Sequence, residues 1–243
     1  MPTDKKRAKT ADTEVAGSFD GAHRHVIYER LMNAISEHRL QPGTKLAEDR
    51  LAAIFTVSRT TVRAVLQQLS HELVVTIVPN RGAFVASPTV EEARELFEAR
   101  RQIELTIIEK VCRCATKKDL ARLRAHVAQE DEARKRDDRR ATVRLSGEFH
   151  VMLAQVSGNR FIERTMRGLQ MLTCLTILLY NAPTAQACLH DEHARLIDAV
   201  EGGNVKLAQK IMDEHLEHIE ATLRLHGPED ENDDLEAILV HGL

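Results

Sequence analysis

Three of the twelve histidines have neighbours that point them inward. His150 shares a helical stripe with Val143, Ser146, Leu153 and Ser157. His193 shares one with Leu189, Leu196, Ile197 and Val200, and His215 lies between Ala208, Ile211 and Ile219. A neutral imidazole is the commonest protein ligand for a transition metal. A lone histidine on an apolar stripe is ordinarily a hydrogen-bonded core residue. Three from separate helices can instead converge on one ion, because the core of a helix bundle can host such a site. Spacing along the chain leaves both readings open. If an ion is bound, imidazole ligands favour zinc or nickel.

A second set of residues suits nucleic acid. Arg59, Arg63 and Gln67 recur at i, i+4 and i+8, on one face of a helical pattern that begins at Ser58. Ser58 is a good N-cap, since its hydroxyl can accept from a free amide of the first turn. An arginine fork can hold guanine O6 and N7 together, and a helix N-terminus attracts phosphate. Ser58, Arg59, Thr60, Thr61 and Arg63 are therefore DNA-contact candidates, with Arg50 on the preceding helix. Farther on, Asn80, Arg81 and Gly82 sit in a Pro-Asn-Arg-Gly turn. Arg81 at its tip is placed to enter a minor groove, and Gly82 permits a close approach or a positive φ.

The elements that must position these residues follow from periodicity. Ile27, Leu31, Ala34 and Ile35 predict a helix over 24–38. Leu51 and Ile54 are expected inward on a helix over 47–54. Val62, Val65, Leu66 and Leu69 form the buried stripe of the next helix. Only Phe55-Thr56-Val57 separates these last two, the short turn of a helix-turn-helix. The β-branched run 74–78 and Ala83-Phe84-Val85 flank the Pro-Asn-Arg-Gly turn as a β-hairpin. A helix-turn-helix followed by a hairpin is a winged helix. From Pro88 onward helical patterns follow one another at about 89–114, 117–136, 138–157, 159–180, 184–201 and 204–225. The fold class expected is mainly α: a winged helix-turn-helix over 23–87, then an all-α bundle of six to seven helices over 88–226. Residues 1–22 read as a disordered arm and 227–243 as an acidic tail.

Composition supports this division. The chain has 243 residues, 43% hydrophobic and only 3% aromatic, so its cores must be aliphatic. The net charge is −3 overall. Residues 1–87 hold 12 Lys/Arg against 9 Asp/Glu (+3), and the rest hold 22 against 28 (−6), so a basic front precedes an acidic rear. No apolar run approaches the length of a membrane span, and a cytoplasmic location is expected. Four cysteines, Cys112, Cys114, Cys174 and Cys188, lack CxxC spacing and read as small hydrophobes in a reducing compartment.

Residues 26–87 resemble the DNA-binding domain of the GntR family of bacterial transcription regulators. The resemblance rests on Leu40-Gln41-Pro42-Gly43-Thr44-Lys45-Leu46, on Val57-Ser58-Arg59-Thr60-Thr61-Val62-Arg63, and on Pro79-Asn80-Arg81-Gly82. It implies that Arg59 and Arg63 contact operator bases or phosphates and that the wing touches the minor groove. Two positions depart from the family pattern: Thr56 where glycine is usual, and Ala64 where glutamate is common. Glu148-Phe149-His150, Ser157-Gly158-Asn159, Asp191-Glu192-His193 and His215-Leu216-Glu217 resemble the helical ligand-sensing FCD domain of the FadR-like branch, over roughly 92–225. That resemblance implies a divalent metal on His150, His193 and His215, with Arg100, Glu104, Ser146 and Asn159 at an effector site. The family's carboxylate ligand usually stands four residues before the first histidine. Here that residue is Ser146, and Asp191, Glu148 or Glu104 are the candidate substitutes.

Together these readings predict a homodimeric regulator, a repressor by family habit, bound to double-stranded operator DNA. A small organic acid in the helical domain would control it, and no membrane is involved. Two alternatives remain at this point. A metal-dependent helical hydrolase is disfavoured by the lack of HExxH spacing, and it leaves the winged helix unexplained. A ligand-independent DNA-binding protein leaves the three inward histidines unexplained.

Overall fold

The structure, a computed structural model, describes residues 5–180 and 191–225, with side chains from residue 21 onward. Twelve elements are seen among them. The winged helix comprises α1 (Lys5–Ser36), β1 (Lys45–Leu46), α2 (Glu48–Phe55), α3 (Arg59–His71), β2 (Val75–Val78) and β3 (Gly82–Val85). The strands form one antiparallel sheet in the order β1-β3-β2, with Lys45 opposite Phe84 and Val75 opposite Val85. β1 was not expected, because residues 40–46 read as a loop from sequence.

Helix α3 forms where its sequence directs. Ser58 Oγ accepts from Thr61 N at 3.1 Å, which caps the first turn. Val62, Val65, Leu66 and Leu69 are each 1% exposed or less. Fully burying a side chain of this kind contributes about 1.5–3 kcal/mol. The four inward residues of α1, Ile27, Leu31, Ala34 and Ile35, are likewise buried. Two expectations are corrected here. Helix α1 begins at Lys5, so residues 5–22 are helical rather than a disordered arm. Their Ala, Glu and Lys are adequate helix formers, and no proline occurs between Pro2 and Pro42. Ile54, expected inward, is 63% exposed. Leu51, Ala52 and Phe55 supply the face of the short α2 that packs on the core. The acidic tail 227–243 lies outside the described residues, as do Cys188 and Leu189.

Among the described residues six helices follow at the places expected: α4 (Val90–Cys114), α5 (Lys117–Lys135), α6 (Arg139–Val156), α7 (Arg160–Tyr180), α8 (Glu192–Glu201) and α9 (Val205–Ala221); the start expected for α8 at 184 lies outside the described residues. Capping boxes at Thr89/Glu92 and Thr116/Asp119 start α4 and α5. Asp138 and Asn204 cap α6 and α9. Ile107, Ile108, Leu123, Phe149, Leu153, Met166, Leu196, Met212 and Leu216 build the bundle core.

Helix α7 belongs to both domains. Its Met171 and Leu175 are buried in the winged-helix core with Ile35 and Leu69. Gly168 lets α7 approach closely, since a Cβ there would lie 3.0 Å from the Glu72 carbonyl oxygen. The Tyr28 hydroxyl of α1 donates to Glu72 Oε2 at 2.6 Å beside this contact. The winged helix is thus seated directly on the helical domain.

Candidate functional site

His150 on α6, His193 on α8 and His215 on α9 meet in the bundle core, each 5% exposed or less. Their Nε2 atoms face one another: His215 Nε2 lies 3.2 Å from that of His150 and 3.3 Å from that of His193. On the far side of each ring stands a carboxylate. His150 Nδ1 meets Glu104 Oε2, His193 Nδ1 meets Glu130 Oε2 at 2.8 Å, and His215 Nδ1 meets Glu192 Oε2 at 2.7 Å.

The protonation pattern follows from the charges. Burial pushes the Glu104 carboxyl up, but Arg100 and His150 more than reverse this and hold it at about 2. Burial opposes ionisation at Glu192 too, yet His215 and His218 hold it at about 2. Glu130 is lowered against its own burial, chiefly by the hydrogen bond from His193. Burial pulls His150 down, and it pulls His215 down to about 3 against the upward pull of Glu192. The carboxylates are therefore ionised while His150 and His215 are neutral. An ionised carboxylate only accepts, so each paired Nδ1 carries the proton, and the Nε2 atoms of the neutral His150 and His215 present lone pairs. Two such lone pairs 3.2 Å apart repel one another unless a cation lies between them.

The geometry fits a divalent ion. With Zn–N near 2.0–2.1 Å and tetrahedral angles, ligand nitrogens stand about 3.3 Å apart, close to the separations seen. A carboxylate orienting each ligating histidine is the usual second layer of such a centre. The three histidines are the one group of that kind found among the described residues. None of the candidate substitutes for the missing carboxylate joins them. Glu104 is turned to Arg100 and the back of His150. Glu148 is exposed and pairs with Arg144. Asp191 is exposed at the N-terminus of α8. Ser146 is buried beside His150, lining a cavity of 20 Å3 with Arg100, Thr173 and Gln170. A fourth ligand would come from that side, as water or effector.

Arg100 and Glu104 have the spacing of a surface ion pair, yet both are buried, with Arg100 Nε 2.7 Å from Glu104 Oε1. Arg100 Nη1 donates to Thr173 Oγ1 at 3.2 Å, and its Nη2 has no partner among the described residues. A buried guanidinium with an unused donor is costly unless an acceptor is supplied. Asn159 does not reach this site. Its Oδ1 accepts from Phe161 N and Ile162 N, starting α7. Two members of the site, Glu130 and Glu192, were missed from sequence; Glu192 lies beside His193 in the chain, but nothing local marks Glu130.

On the winged helix, Arg59 and Arg63 project from the exposed face of α3, and Arg50, Thr60, Asn80 and Arg81 are exposed too. Asn80 and Gly82 take positive φ, 60° and 101°, which sharpens the wing tip. Thr61 does not present itself: it is buried, with its hydroxyl 2.8 Å from that of Ser58, which is occupied as the cap. Helix α2 covers the two arginines with carboxylates. Arg63 donates twice to Glu48, at 2.8 and 2.6 Å, and Arg59 Nε pairs with Asp49 at 2.9 Å. Thr56, where the family has glycine, adopts a left-handed conformation, φ 55° and ψ 46°.

Comparison with known proteins agrees with both halves. Residues 24–85 match the family described as bacterial regulatory proteins, gntR family, and residues 95–218 match the FCD domain. The chain is 31% identical over 136 residues to the Nta operon transcriptional regulator of Aminobacter aminovorans, covering 56% of this chain and 64% of that one. It is 26% identical to the HTH-type transcriptional regulator LutR of Bacillus subtilis, over 78% of this chain and 95% of that one. Among solved structures, a GntR transcriptional regulator from Rhodococcus sp. RHA1 superposes with a TM-score of 0.70 at 26% identity, over 82% of this chain and 96% of that chain. The E. coli protein McbR/YncC shares the fold, with a TM-score of 0.71 at 18% identity, over 82% and 95%. The chain accordingly belongs to the gntR family of bacterial regulatory proteins, in the branch with a C-terminal FCD domain, and is a DNA-binding transcription regulator rather than an enzyme.

Proposed function

We propose that this regulator senses a small organic acid at a three-histidine metal centre and reads its operator as a homodimer. The observation that carries the proposal is the convergence of three Nε2 atoms, each backed by a carboxylate on Nδ1. A divalent ion, zinc or nickel, would be held by His150, His193 and His215, and would offer an effector oxygen a Lewis-acid docking point. The chain supplies the other contact. Arg100 Nη2 is the unused donor beside the triad, and a carboxylate there would be held by a charge-assisted bond. Glu104 orients both Arg100 and His150, so head-group capture and metal binding share one buried anchor.

Helix α7 links this site to DNA. Thr173 holds Arg100, while Gly168, Met171 and Leu175 of the same helix touch the winged helix. A ligand that moves Arg100 shifts α7, and with it the seat of α3. In a dimer that shift changes the spacing of two recognition helices, which must match two half-sites of the operator. Arg59 and Arg63 would read or anchor in the major groove, with Arg81 in the adjacent minor groove. Repression is the sign proposed; RspR of Escherichia coli, 23% identical over 82% of this chain, is named a repressor. A reader of chromosomal DNA works in the bacterial cytoplasm.

The experiment is His150→Ala in the full chain. Stoichiometric metal and the response to acids are expected to vanish while binding to a selected operator persists. Retention of one metal per chain in that variant would overturn the triad as the ligand set.

A further inference from the structure

Two cavities flank α6 and α7 near the triad. One, of 20 Å3, is lined by Arg100, Ser146, His150 and Thr173. The other, of 520 Å3, lies in the seam where α1 of the winged helix meets α5, α6 and α7. Gln170 is the one residue that lines both.

The small cavity is too small for the acid proposed above. A water needs about 10–15 Å3 by this measure, so 20 Å3 admits one water and not a three-atom carboxylate. One wall must move, and the loosest is Gln170. Its Oε1 has no hydrogen-bond partner although the residue is 8% exposed, and its Nε2 has only Cys174 Sγ, at 3.9 Å. It fits against α6 because residue 147 is glycine; a Cβ there would come within 2.3 Å of Gln170 Nε2. By contrast, Arg100 is held by Glu104 and Thr173, and each of the three histidines by a carboxylate on its Nδ1.

Behind Gln170 the seam cavity offers an apolar and polarisable stretch, Met32, Val151, Met152, Met171 and Cys174, within a lining that also holds polar residues such as Glu29, Asn33, His126 and Gln129. Two of its three arginines are matched by carboxylates, Arg144 by Glu148 and Arg167 by Glu163, while Arg122 donates to the neutral Gln155. The apolar stretch next to Gln170 receives a hydrocarbon tail better than a second charged group. The volume lies within the range usual for ligand pockets.

We infer that Gln170 is a gate, and that the seam cavity is the tail pocket of the effector site. The ligand is then a monocarboxylic acid with an apolar tail: its head lies on Arg100 beside the triad and its tail against α1. This rests on the reading of Arg100 as the head-group clamp, and it gives the ligand direct contact with the DNA-binding domain.

The test is calorimetry and stopped-flow binding on the full-length, zinc-loaded protein with acetate, octanoate and citrate. Octanoate is expected to bind at least tenfold more tightly than acetate, and citrate no better than acetate. Met152→Trp, which fills the seam, should weaken octanoate at least tenfold and leave acetate unchanged. Gln170→Ala should speed octanoate association severalfold, and Gly147→Ala, which displaces the Gln170 amide, should do the same. Equal affinities for octanoate and acetate would overturn the tail pocket and leave the head-group reading standing. Failure of every acid to bind would overturn both. Unchanged association rates in both gate variants would overturn the gate.

Discussion

Replacing Glu130 by glutamine should weaken metal binding without unfolding the protein. Glu130 is 1% exposed, and its Oε2 sits 2.8 Å from His193 Nδ1. Its Oε1 accepts from Arg134 Nη2 at 2.7 Å, and Arg134 keeps a second partner in Asp131 at 2.7 Å. Glutamine preserves the volume and one acceptor oxygen, so packing survives and Arg134 stays paired. What is lost is the negative charge that fixes the Nδ1–H tautomer and makes Nε2 a stronger donor to metal. Loss of a single such partner typically costs about 10–100-fold in metal affinity, or about 1.4–2.7 kcal/mol. The upper end applies if the new amide turns its NH2 toward His193, which would favour the tautomer whose Nε2 bears the proton. The assay is zinc competition against a chelator of known affinity at pH 7.5, with Glu132→Gln as control. Glu132 lies two residues away but is exposed on Lys135, and its replacement should change nothing. A zinc affinity for Glu130→Gln within threefold of wild type would refute the role given to the carboxylates.

Further outcomes are expected elsewhere in the chain. Arg63→Ala should weaken binding to a selected operator roughly tenfold or more and lower the slope of log affinity against log salt by about 1, measured by fluorescence anisotropy; unchanged binding would remove α3 as the recognition helix. Thr56→Gly relieves a left-handed residue and should raise stability by about 0.5–1 kcal/mol in urea unfolding, after the cost of a freer unfolded chain. In metal-free protein, Glu104 and Glu192 sit at about 2 instead of 4.5, so their contribution is present above pH 4.5 and lost as pH falls through about 2. His215, held at about 3 instead of 6.5, works in the same direction, because the unfolded chain takes the proton first as pH falls below 6.5. The urea midpoint of chelator-treated protein should therefore drop steadily from pH 7 to 4, and a flat profile would contradict these assignments.

The local signals proved the most legible. Ser58 caps α3, the Val62–Leu69 stripe is buried, and all three histidines point inward, because periodicity and capping are encoded within a few residues. What the sequence did not disclose depends on partners far away in the chain. Glu130 is 63 positions from His193, and nothing near it distinguishes it from the other acids of α5. Arg100 and Glu104 show the spacing of an exposed pair; only the packing of α4 against α6 and α7 puts them inside. Thr61 lies in the first turn of the expected contact helix but serves the cap itself. Ile54 shows the reverse error, an apolar residue at helical spacing on a helix too short to bury both its flanks. The seam cavity had no sequence signature, since it arises only where two domains meet.

The central claim is that three Nε2 atoms hold one divalent ion. X-ray absorption at the zinc edge of stoichiometrically loaded, full-length protein tests it most directly. The expected spectrum shows three imidazole nitrogens at about 2.0–2.1 Å, with oxygen completing the shell. A sulfur shell at about 2.3 Å, or failure to load one ion per chain, would contradict it.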